Sequence, residues 1–463
     1  MTLPAIDPEV AIKYLASSVR LCFQRATSDE GGISDSTFQL PDRFTSQSLT
    51  AVLEGVAQNT PTSFSRIGIV GAGLMGISIA ACHLRRGCEV SLYDNAQQAL
   101  EASPQRVRNE LELQIDDPAL VSSFLSHLHC VSDPHHLADC TCVIEAVPEN
   151  LSLKRGLFKQ LEELVPPDCV FLTNTSTIPV SRLAEDLRRP QRLAGLHFLH
   201  PVRERPVVEV ICHSETARSI AASVMRQALA LGKLPLAVSD SPGFVVNRLL
   251  FAYLNEALEL LASGAGVATL DESAVRVGFA MGPLRIMDEI GLDTIWGAGR
   301  ILWEAFPDRI EASPILVTLL KHKRLGRKTG QGFYRYGDLT PRTASPESDP
   351  EIEKLLAPWV TLSSTPSSEH IGERLLAAMT AEALSVAQEN VVSDWRMIDV
   401  AAVLGLGFPA RYGGPLHLAA SQHPAAFLEW MTQHLSKKPA DSEPGKFAGV
   451  LASLREHVSI API

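Results

Sequence analysis

The sequence has few features that would suit nucleic acid, a membrane or a structural metal. Acidic residues outnumber basic ones, and the formal net charge is −11, whereas nucleic-acid binding relies on basic surface that neutralises phosphates. The composition is that of an ordinary globular chain, without a membrane-spanning run. Eight cysteines are present, but none forms a Cys-x-x-Cys pair or a zinc-type spacing with histidine. We therefore expect no nucleic-acid partner, no membrane association, no metal, and reduced, buried thiols.

Targeting signals are also missing from the two ends of the sequence. The first ten residues include Asp7 and Glu9 and show no basic region followed by an apolar one. The last three residues are Ala-Pro-Ile, which is not a peroxisomal tripeptide. A cytoplasmic location is the remaining expectation.

The segment 65–94 has the order strand, glycine turn, helix, strand and acid. An apolar run leads into Gly71-Ala-Gly73-Leu-Met-Gly76, and after a helix-length segment a second apolar run ends in Asp94. The first glycine permits a tight turn, the second lets a pyrophosphate approach the backbone, and the third lets helix and strand pack closely. Free N–H groups where Leu74 and Met75 begin the helix favour negative charge. The segment predicts a dinucleotide site, although a glycine turn that only joins two core strands is the alternative.

Asp94 indicates which dinucleotide is bound. A carboxylate at the end of the second strand can accept hydrogen bonds from ribose hydroxyls and repels a 2′-phosphate. No Arg or Lys directly follows it. We therefore predict NAD rather than NADP as the cofactor.

The 463 residues are too many for a single core, and the pattern changes near Asp240. Before it, apolar runs alternate with helical segments, including one polar helix over about 96–127, which is typical of a doubly wound α/β sheet. After it, apolar residues fall only at helical spacing. We predict five segments: an N-terminal helix and linker at 1–62, an NAD-binding Rossmann domain at 63–241, a helical substrate domain at 242–337, a linker at 338–366, and a second, degenerate copy of the helical domain at 367–463.

The duplication rests on two alignments within the helical part. Residues 246–258 match residues 372–384, and the Gly-Phe and Gly-Pro pairs of 278–283 recur in 407–415. Two amphipathic helices can resemble each other by chance, but the recurring pairs at similar distances favour a repeat.

His197 and Glu209 are the candidates for proton transfer. His197 ends an apolar strand on the side where the cofactor is expected, and an ordinary histidine pKa of about 6.5 suits a base near neutrality. Glu209 lies in an apolar run, where a carboxylate is costly to bury unless it is paired. A return turn through Pro201 and Pro206 would place it beside His197. A core histidine bonded to backbone and an outward-facing edge-strand glutamate are the alternatives.

Six motifs in order along residues 65–336 carry a resemblance to a known family. They are Glu145-Ala-Val-Pro-Glu149, Asn174-Thr-Ser-Thr177, Gly195-Leu-His-Phe-Leu-His-Pro201, Val208-Glu-Val210, Ser241-Pro-Gly-Phe-Val-Val-Asn-Arg-Leu-Leu250 and Arg327-Lys-Thr-Gly-Gln-Gly-Phe-Tyr334. Together they resemble the L-3-hydroxyacyl-CoA dehydrogenase family. The repeat extends the likeness to the dehydrogenase half of multifunctional fatty-acid oxidation enzymes, without their hydratase domain. The resemblance implies a Rossmann domain followed by a helical domain. It also implies reversible, NAD-dependent oxidation of an (S)-3-hydroxyacyl-CoA.

The resemblance also implies residue roles. His197 matches the catalytic base and Glu209 its carboxylate partner, while Ser176 and Asn247 match residues that contact the substrate. On the cofactor side the matching residues are Gly71, Gly73, Leu74, Met75, Gly76, Asp94, Glu149, Lys154 and Asn174. A helix cap is the alternative for Ser176, and a helix-surface residue is the alternative for Asn247.

The sequence departs from the family at two places. His200 stands where the family usually has Asn, and the segment 94–130 lacks a run of lysines that helps to hold the CoA nucleotide. A dehydrogenase of free hydroxy acids or sugar acids, or a non-catalytic NAD-binding structural protein, is therefore kept as an alternative. We expect either a monomer containing an internal pseudo-dimer of helical domains or a homodimer.

Overall fold

The structure is a computed structural model that describes residues 8–27, 46–310, 312–336, 347–361, 366–435 and 444–458. The chain forms two compact units. The first consists of Ala16–Phe244 with Val391–Ser393, and the second of Met1–Leu15, Val245–Asn390 and Asp394–Ile463. No helix in the described ranges has the length and apolar character needed to cross a bilayer.

The first unit contains an eight-stranded sheet with the order β3-β2-β1-β4-β5-β6-β7-β8. Six strands from β3 to β6 run parallel, whereas β7 pairs antiparallel with β6 and β8 pairs parallel with β7. The central strands are buried on both faces, as their near-continuous apolar sequences require. The strands are β1 (Arg66–Val70), β2 (Glu89–Tyr93), β3 (Leu128–Val131), β4 (Cys142–Glu145), β5 (Val170–Thr173), β6 (Leu193–Phe198), β7 (Val207–Cys212) and β8 (Leu234–Ser239).

Helices α3 (Leu74–Leu84), α4 (Gln97–Glu112), α5 (Pro118–Leu125), α6 (Leu151–Leu164), α7 (Val180–Ala184) and α8 (Arg218–Ala230) lie between these strands along the chain. Two helices, α1 (Pro8–Thr27) and α2 (Ser46–Asn59), precede β1. The first is the predicted N-terminal helix.

The second unit is helical. Its helices are α9 (Val246–Ala262), α10 (Val267–Arg276), α11 (Pro283–Ile290), α12 (Leu292–Ala305), α13 (Pro314–Lys321), α14 (Pro350–Leu356), α15 (Ser368–Gln388), α16 (Arg396–Val400), α17 (Pro415–Ala420), α18 (Pro424–His434) and α19 (Pro444–Val458). The predicted fold class, a Rossmann-type sheet followed by a helical region, is confirmed.

The repeat is visible in reciprocal ion pairs between α9 and α15, which pack against each other. Arg248 of α9 donates to Glu382 of α15 at 2.6 Å, and Arg374 of α15 donates to Glu256 of α9 at 2.5 Å. The two arginines occupy matching positions of the repeat, and so do the two glutamates. Such an exchange is the signature of a two-fold, self-complementary interface.

A buried aspartate caps the same helix in each copy of the repeat. Asp271 accepts hydrogen bonds from the N–H groups of Leu284 and Arg285, and Asp399 accepts them from Leu416 and His417. Each aspartate also accepts a hydrogen bond of 2.8 Å from a tyrosine hydroxyl. For Asp271 the donor is Tyr334, whereas for Asp399 it is Tyr14 of the N-terminal helix α1.

Three predicted segments need correction. The linker predicted within 1–62 contains the helix α2, whose buried face packs on α8. The linker predicted at 338–366 contains α14. Residues 28–45, 337–346 and 362–365 lie outside the described residues. The prediction of a single helix over 96–127 is wrong, because a second helix, α5, begins at Pro118 with Asp117 as its N-cap. The only sequence signals for these helices are a few apolar residues and capping residues. Such short signals are easily overlooked within a long polar segment.

Candidate active site

The glycine turn lies between β1 and α3 and has little room for side chains at two of its three glycines. Gly71 has a φ of 109°, and a Cβ there would lie 2.6 Å from the Ala146 carbonyl oxygen. A Cβ on Gly76 would lie 1.8 Å from the Gly71 carbonyl oxygen. A Cβ on Gly73 would meet nothing within 4 Å. The turn therefore packs tightly where strand and helix meet and leaves open space at its middle glycine, which fits a pyrophosphate approaching the backbone.

Asp94 follows β2 and contacts the glycine turn. One carboxylate oxygen accepts from the N–H of Ala72 at 2.7 Å, and the other accepts from the N–H of Ala96 at 2.8 Å. Leu74 and Met75 form the first turn of α3, and the Leu74 side chain is 52% exposed. The glycine turn and Asp94 thus lie together at the carboxyl ends of β1 and β2, whereas Glu149, Lys154 and Asn174 follow β4 and β5.

His197 and Glu209 form a buried pair. They are directly opposite each other in the antiparallel register of β6 and β7, and His197 Nδ1 lies 2.7 Å from a Glu209 carboxylate oxygen. Glu209 is fully buried and His197 is 4% exposed. The chain reverses direction between these strands, as the return turn predicts. The contact leaves Nε2 as the ring nitrogen that can accept a proton.

Two further residues fix the surroundings of His197. The side-chain oxygen of Asn174, after β5, accepts from the N–H of Phe198 at 2.8 Å and so holds the end of β6. The ring of Phe244 lies 5.9 Å from the imidazole, between centroids. Phe244 is buried with a φ of 53°, an uncommon conformation for a bulky residue. Phe244 belongs to the motif 241–250, but no residue type in that motif marks Phe244 as the side chain that packs on His197.

Glu149 organises the loop after β5. Its carboxylate accepts from the hydroxyls of Thr175 and Thr177 and from the N–H groups of Ser176 and Thr177, at 2.7–3.0 Å. Burial opposes ionisation, but Lys154 and these hydrogen bonds hold the pKa of Glu149 below its usual value. Ser176 is half-buried, so Glu149 positions the backbone of a predicted substrate-contacting residue.

Lys154 is buried under this loop. Its ammonium group donates to Glu145 at 2.6 Å and to the Val147 carbonyl at 3.1 Å, and it lies 3.3 Å from Glu149. The structure therefore places Lys154 as a partner of Glu149, and a direct contact with the cofactor stays a prediction.

Glu145 was missed as a site residue. It is fully buried, and burial raises its pKa although Lys154 opposes the shift. The available signal was a single carboxylate at the end of the apolar strand β4, which is costly unless paired.

Asn247 lies in the first turn of α9, in the helical unit, and is half-buried. At the matching position of the repeat, a carboxylate oxygen of Glu373 lies 2.6 Å from Nε2 of His434. The two copies have therefore diverged at this position, and only the first keeps the predicted substrate-contacting amide.

A glycine turn after β1, an acid after β2 and a buried imidazole near the end of β6, paired with a carboxylate from the antiparallel β7, all belong to one sheet. This is the arrangement of a dinucleotide-dependent oxidoreductase.

Comparison with known families gives the specific class. The model of the 3-hydroxyacyl-CoA dehydrogenase NAD binding domain matches residues 66–241, and that of the family's C-terminal domain matches residues 243–336. Together they cover more than half of the chain, which belongs to the 3-hydroxyacyl-CoA dehydrogenase family. The predicted family, NAD as the cofactor and the oxidoreductase class are confirmed.

Solved structures with the same fold include three dehydrogenases. A 3-hydroxybutyryl-CoA dehydrogenase from Escherichia coli is 26% identical, with a TM-score of 0.68 over 85% of this chain and 99% of that one. The (S)-3-hydroxybutyryl-CoA dehydrogenase PaaH1 from Ralstonia eutropha is 33% identical, with a TM-score of 0.56 over 59% and 100%. The dehydrogenase part of multifunctional enzyme 1 from C. elegans is 28% identical, with a TM-score of 0.56 over 84% and 89%.

Proposed function

We propose that the protein catalyses the reversible oxidation of an (S)-3-hydroxyacyl-CoA to the 3-oxoacyl-CoA. The observation that carries this proposal is the buried contact of 2.7 Å between His197 and Glu209 at the end of β6. Bound NAD supplies the hydride acceptor. His197 accepts the hydroxyl proton at Nε2, while Glu209 holds the ring and stabilises the imidazolium that forms.

The remaining site residues bind and orient in this proposal. Ser176 and Asn247 contact the substrate, and Asn174 fixes the strand that carries His197. The glycine turn and Asp94 hold the adenosine diphosphate half of the cofactor. Glu149, whose negative charge is compensated by Lys154, holds the loop that carries Ser176 by accepting its hydrogen bonds.

Replacement of His197 or Glu209 by Gln tests the mechanism. We expect turnover on acetoacetyl-CoA to fall by ~10²-fold or more, the range for loss of general base catalysis. NADH binding, followed by fluorescence, should remain intact because neither residue belongs to the glycine turn. His213→Gln is a matched control, since His213 is also buried but bonds the Pro190 carbonyl. A His197→Gln enzyme with near wild-type turnover would rule the mechanism out.

A second candidate is a dehydrogenase of a free hydroxy acid or sugar acid. One observation favours it: in the segment 94–130, which lacks the family's run of lysines, Arg106 of α4 donates to the Ala72 carbonyl at 2.7 Å. Arg106 is thus poorly available to a CoA nucleotide. An NADH-oxidation assay should compare acetoacetyl-CoA, longer 3-oxoacyl-CoA esters and free oxo acids. Preference for a free acid would replace the acyl-CoA proposal and leave the roles of His197 and Glu209 intact.

A further inference from the structure

Ala72, between the first two glycines of the turn, is hydrogen-bonded at both its N–H and its carbonyl group. The N–H of Ala72 donates to Asp94 at 2.7 Å. The carbonyl of Ala72 accepts from Nη1 of Arg106 at 2.7 Å, across 34 positions of sequence. Arg106 comes from α4, which follows the second strand. A cation and an anion from two different elements thus fix one alanine.

The carbonyl of Ala72 and the N–H of Gly73 belong to the same peptide unit. A trans peptide is planar, with its C=O and N–H pointing in opposite directions. The bond from Arg106 therefore sets the direction of the Gly73 N–H. Gly73 is the N-cap of α3, and a side chain there would meet open space. Within the described residues, the Gly73 N–H donates to no backbone or side-chain acceptor.

We propose that Arg106 is a positioning residue for the cofactor, which aims the Gly73 N–H at the diphosphate of NAD by holding the Ala72 carbonyl. A helix N-terminus favours an anion only if its N–H groups point toward it. Arg106 carries four further guanidinium N–H groups, and its charge adds to the positive potential at the turn. Arg106 thereby belongs to the dinucleotide site and not to the site for an acyl carrier.

The test compares Arg106→Met with Arg108→Met, a control two residues along α4 whose side chain lies 3.8 Å from the exposed Glu112 on the same helix. Binding of NADH and ADP is measured by fluorescence and calorimetry, with adenosine as the ligand that lacks phosphate. We expect Arg106→Met to weaken NADH and ADP by about ten-fold, the loss typical of one hydrogen bond from a charged donor. Adenosine binding should be unchanged, and Arg106→Lys should restore part of the affinity.

Kinetics supply a second readout. The KM for NAD should rise with kcat unchanged at saturation, since Arg106 does not touch the reacting atoms. Arg108→Met should behave as wild type in every measurement. The proposal fails if Arg106→Met leaves NADH affinity unchanged, if it weakens adenosine as much as ADP, or if only thermal stability falls. Because NADH and ADP binding require no acyl substrate, these outcomes are independent of the proposed reaction.

Discussion

Lys154 is the residue on which the electrostatics of the site depend. It is buried and stands within 3.3 Å of carboxylate oxygens from both Glu145 and Glu149. Glu145 also accepts from the Thr173 hydroxyl and the Val147 N–H, so its remaining acceptor capacity is used within the protein. The positive charge of Lys154 thus compensates the carboxylates of Glu145 and Glu149, which hydrogen-bond to the loops after β4 and β5.

Replacement of Lys154 by Met should be strongly destabilising. Removing one partner of a buried ion pair leaves an uncompensated charge and typically costs about 3–5 kcal/mol. Urea unfolding would measure the loss. Lys159→Met, at an exposed position of the same helix α6, should shift the free energy of unfolding by less than about 0.5 kcal/mol.

A double variant separates charge from packing. Glu145→Gln added to Lys154→Met removes one of the two orphaned carboxylates, and it should recover part of the lost stability. Equal stability of wild type and Lys154→Met would contradict the role assigned to the lysine.

At the scale of elements, the N-terminal helix α1 completes the second copy of the repeat. In the first copy Tyr334, from the loop after α13, donates to Asp271. In the second copy the tyrosine comes from the opposite end of the chain, where Tyr14 donates to Asp399 and its ring packs 4.3 Å from that of His417. The family models begin at residue 66, so α1 lies outside the part of the chain that they match, yet it supplies a buried contact.

Tyr14→Phe should therefore destabilise the protein. It removes one hydrogen bond to a buried carboxylate, which is worth about 1.5–3 kcal/mol, and leaves the aromatic packing in place. Tyr334→Phe should cost a similar amount, because it breaks the matching bond in the first copy. Tyr412→Phe is the control, since its hydroxyl accepts from the exposed Arg411 and does not donate to a carboxylate among the described residues. Chemical denaturation of the three variants would show whether Tyr14 groups with Tyr334, as expected, or with Tyr412.

At the scale of the whole molecule, the repeat supplies an internal partner. The α9–α15 contact buries Arg248 completely and satisfies it with Glu382 and Glu389. A self-complementary surface that is already covered by a second copy in the same chain is not available to another chain. We propose that the second helical copy has this structural role and forms no second active site.

Light scattering at micromolar concentration tests this proposal. We expect the mass of a single chain, with no change on dilution. A dimer held together by α9 and α15 of different chains would contradict it, and crosslinking between cysteines introduced on these two helices would identify such an exchange.

The sequence by itself determined the local features of this protein. The glycine turn and the helical periodicity beyond residue 244 are patterns of neighbouring residues, imposed by backbone sterics and by a buried helix face. The acid at position 94 and the internal repeat can be recognised from the order of the sequence alone, because each stands at a fixed distance from a local pattern. The carboxylate of Glu209 in an apolar run favoured a buried partner over an outward-facing position, and the structure shows it buried and paired with His197.

Only the tertiary structure decided which distant residues meet. Nothing near Tyr14 in sequence indicates Asp399, nothing near Arg106 indicates Ala72, and Glu145 and Lys154 become a pair only when α6 packs on the sheet. Burial makes unpaired polar groups costly, so each must find a partner, but which partner it finds depends on how the chain is folded and not on the residues beside it.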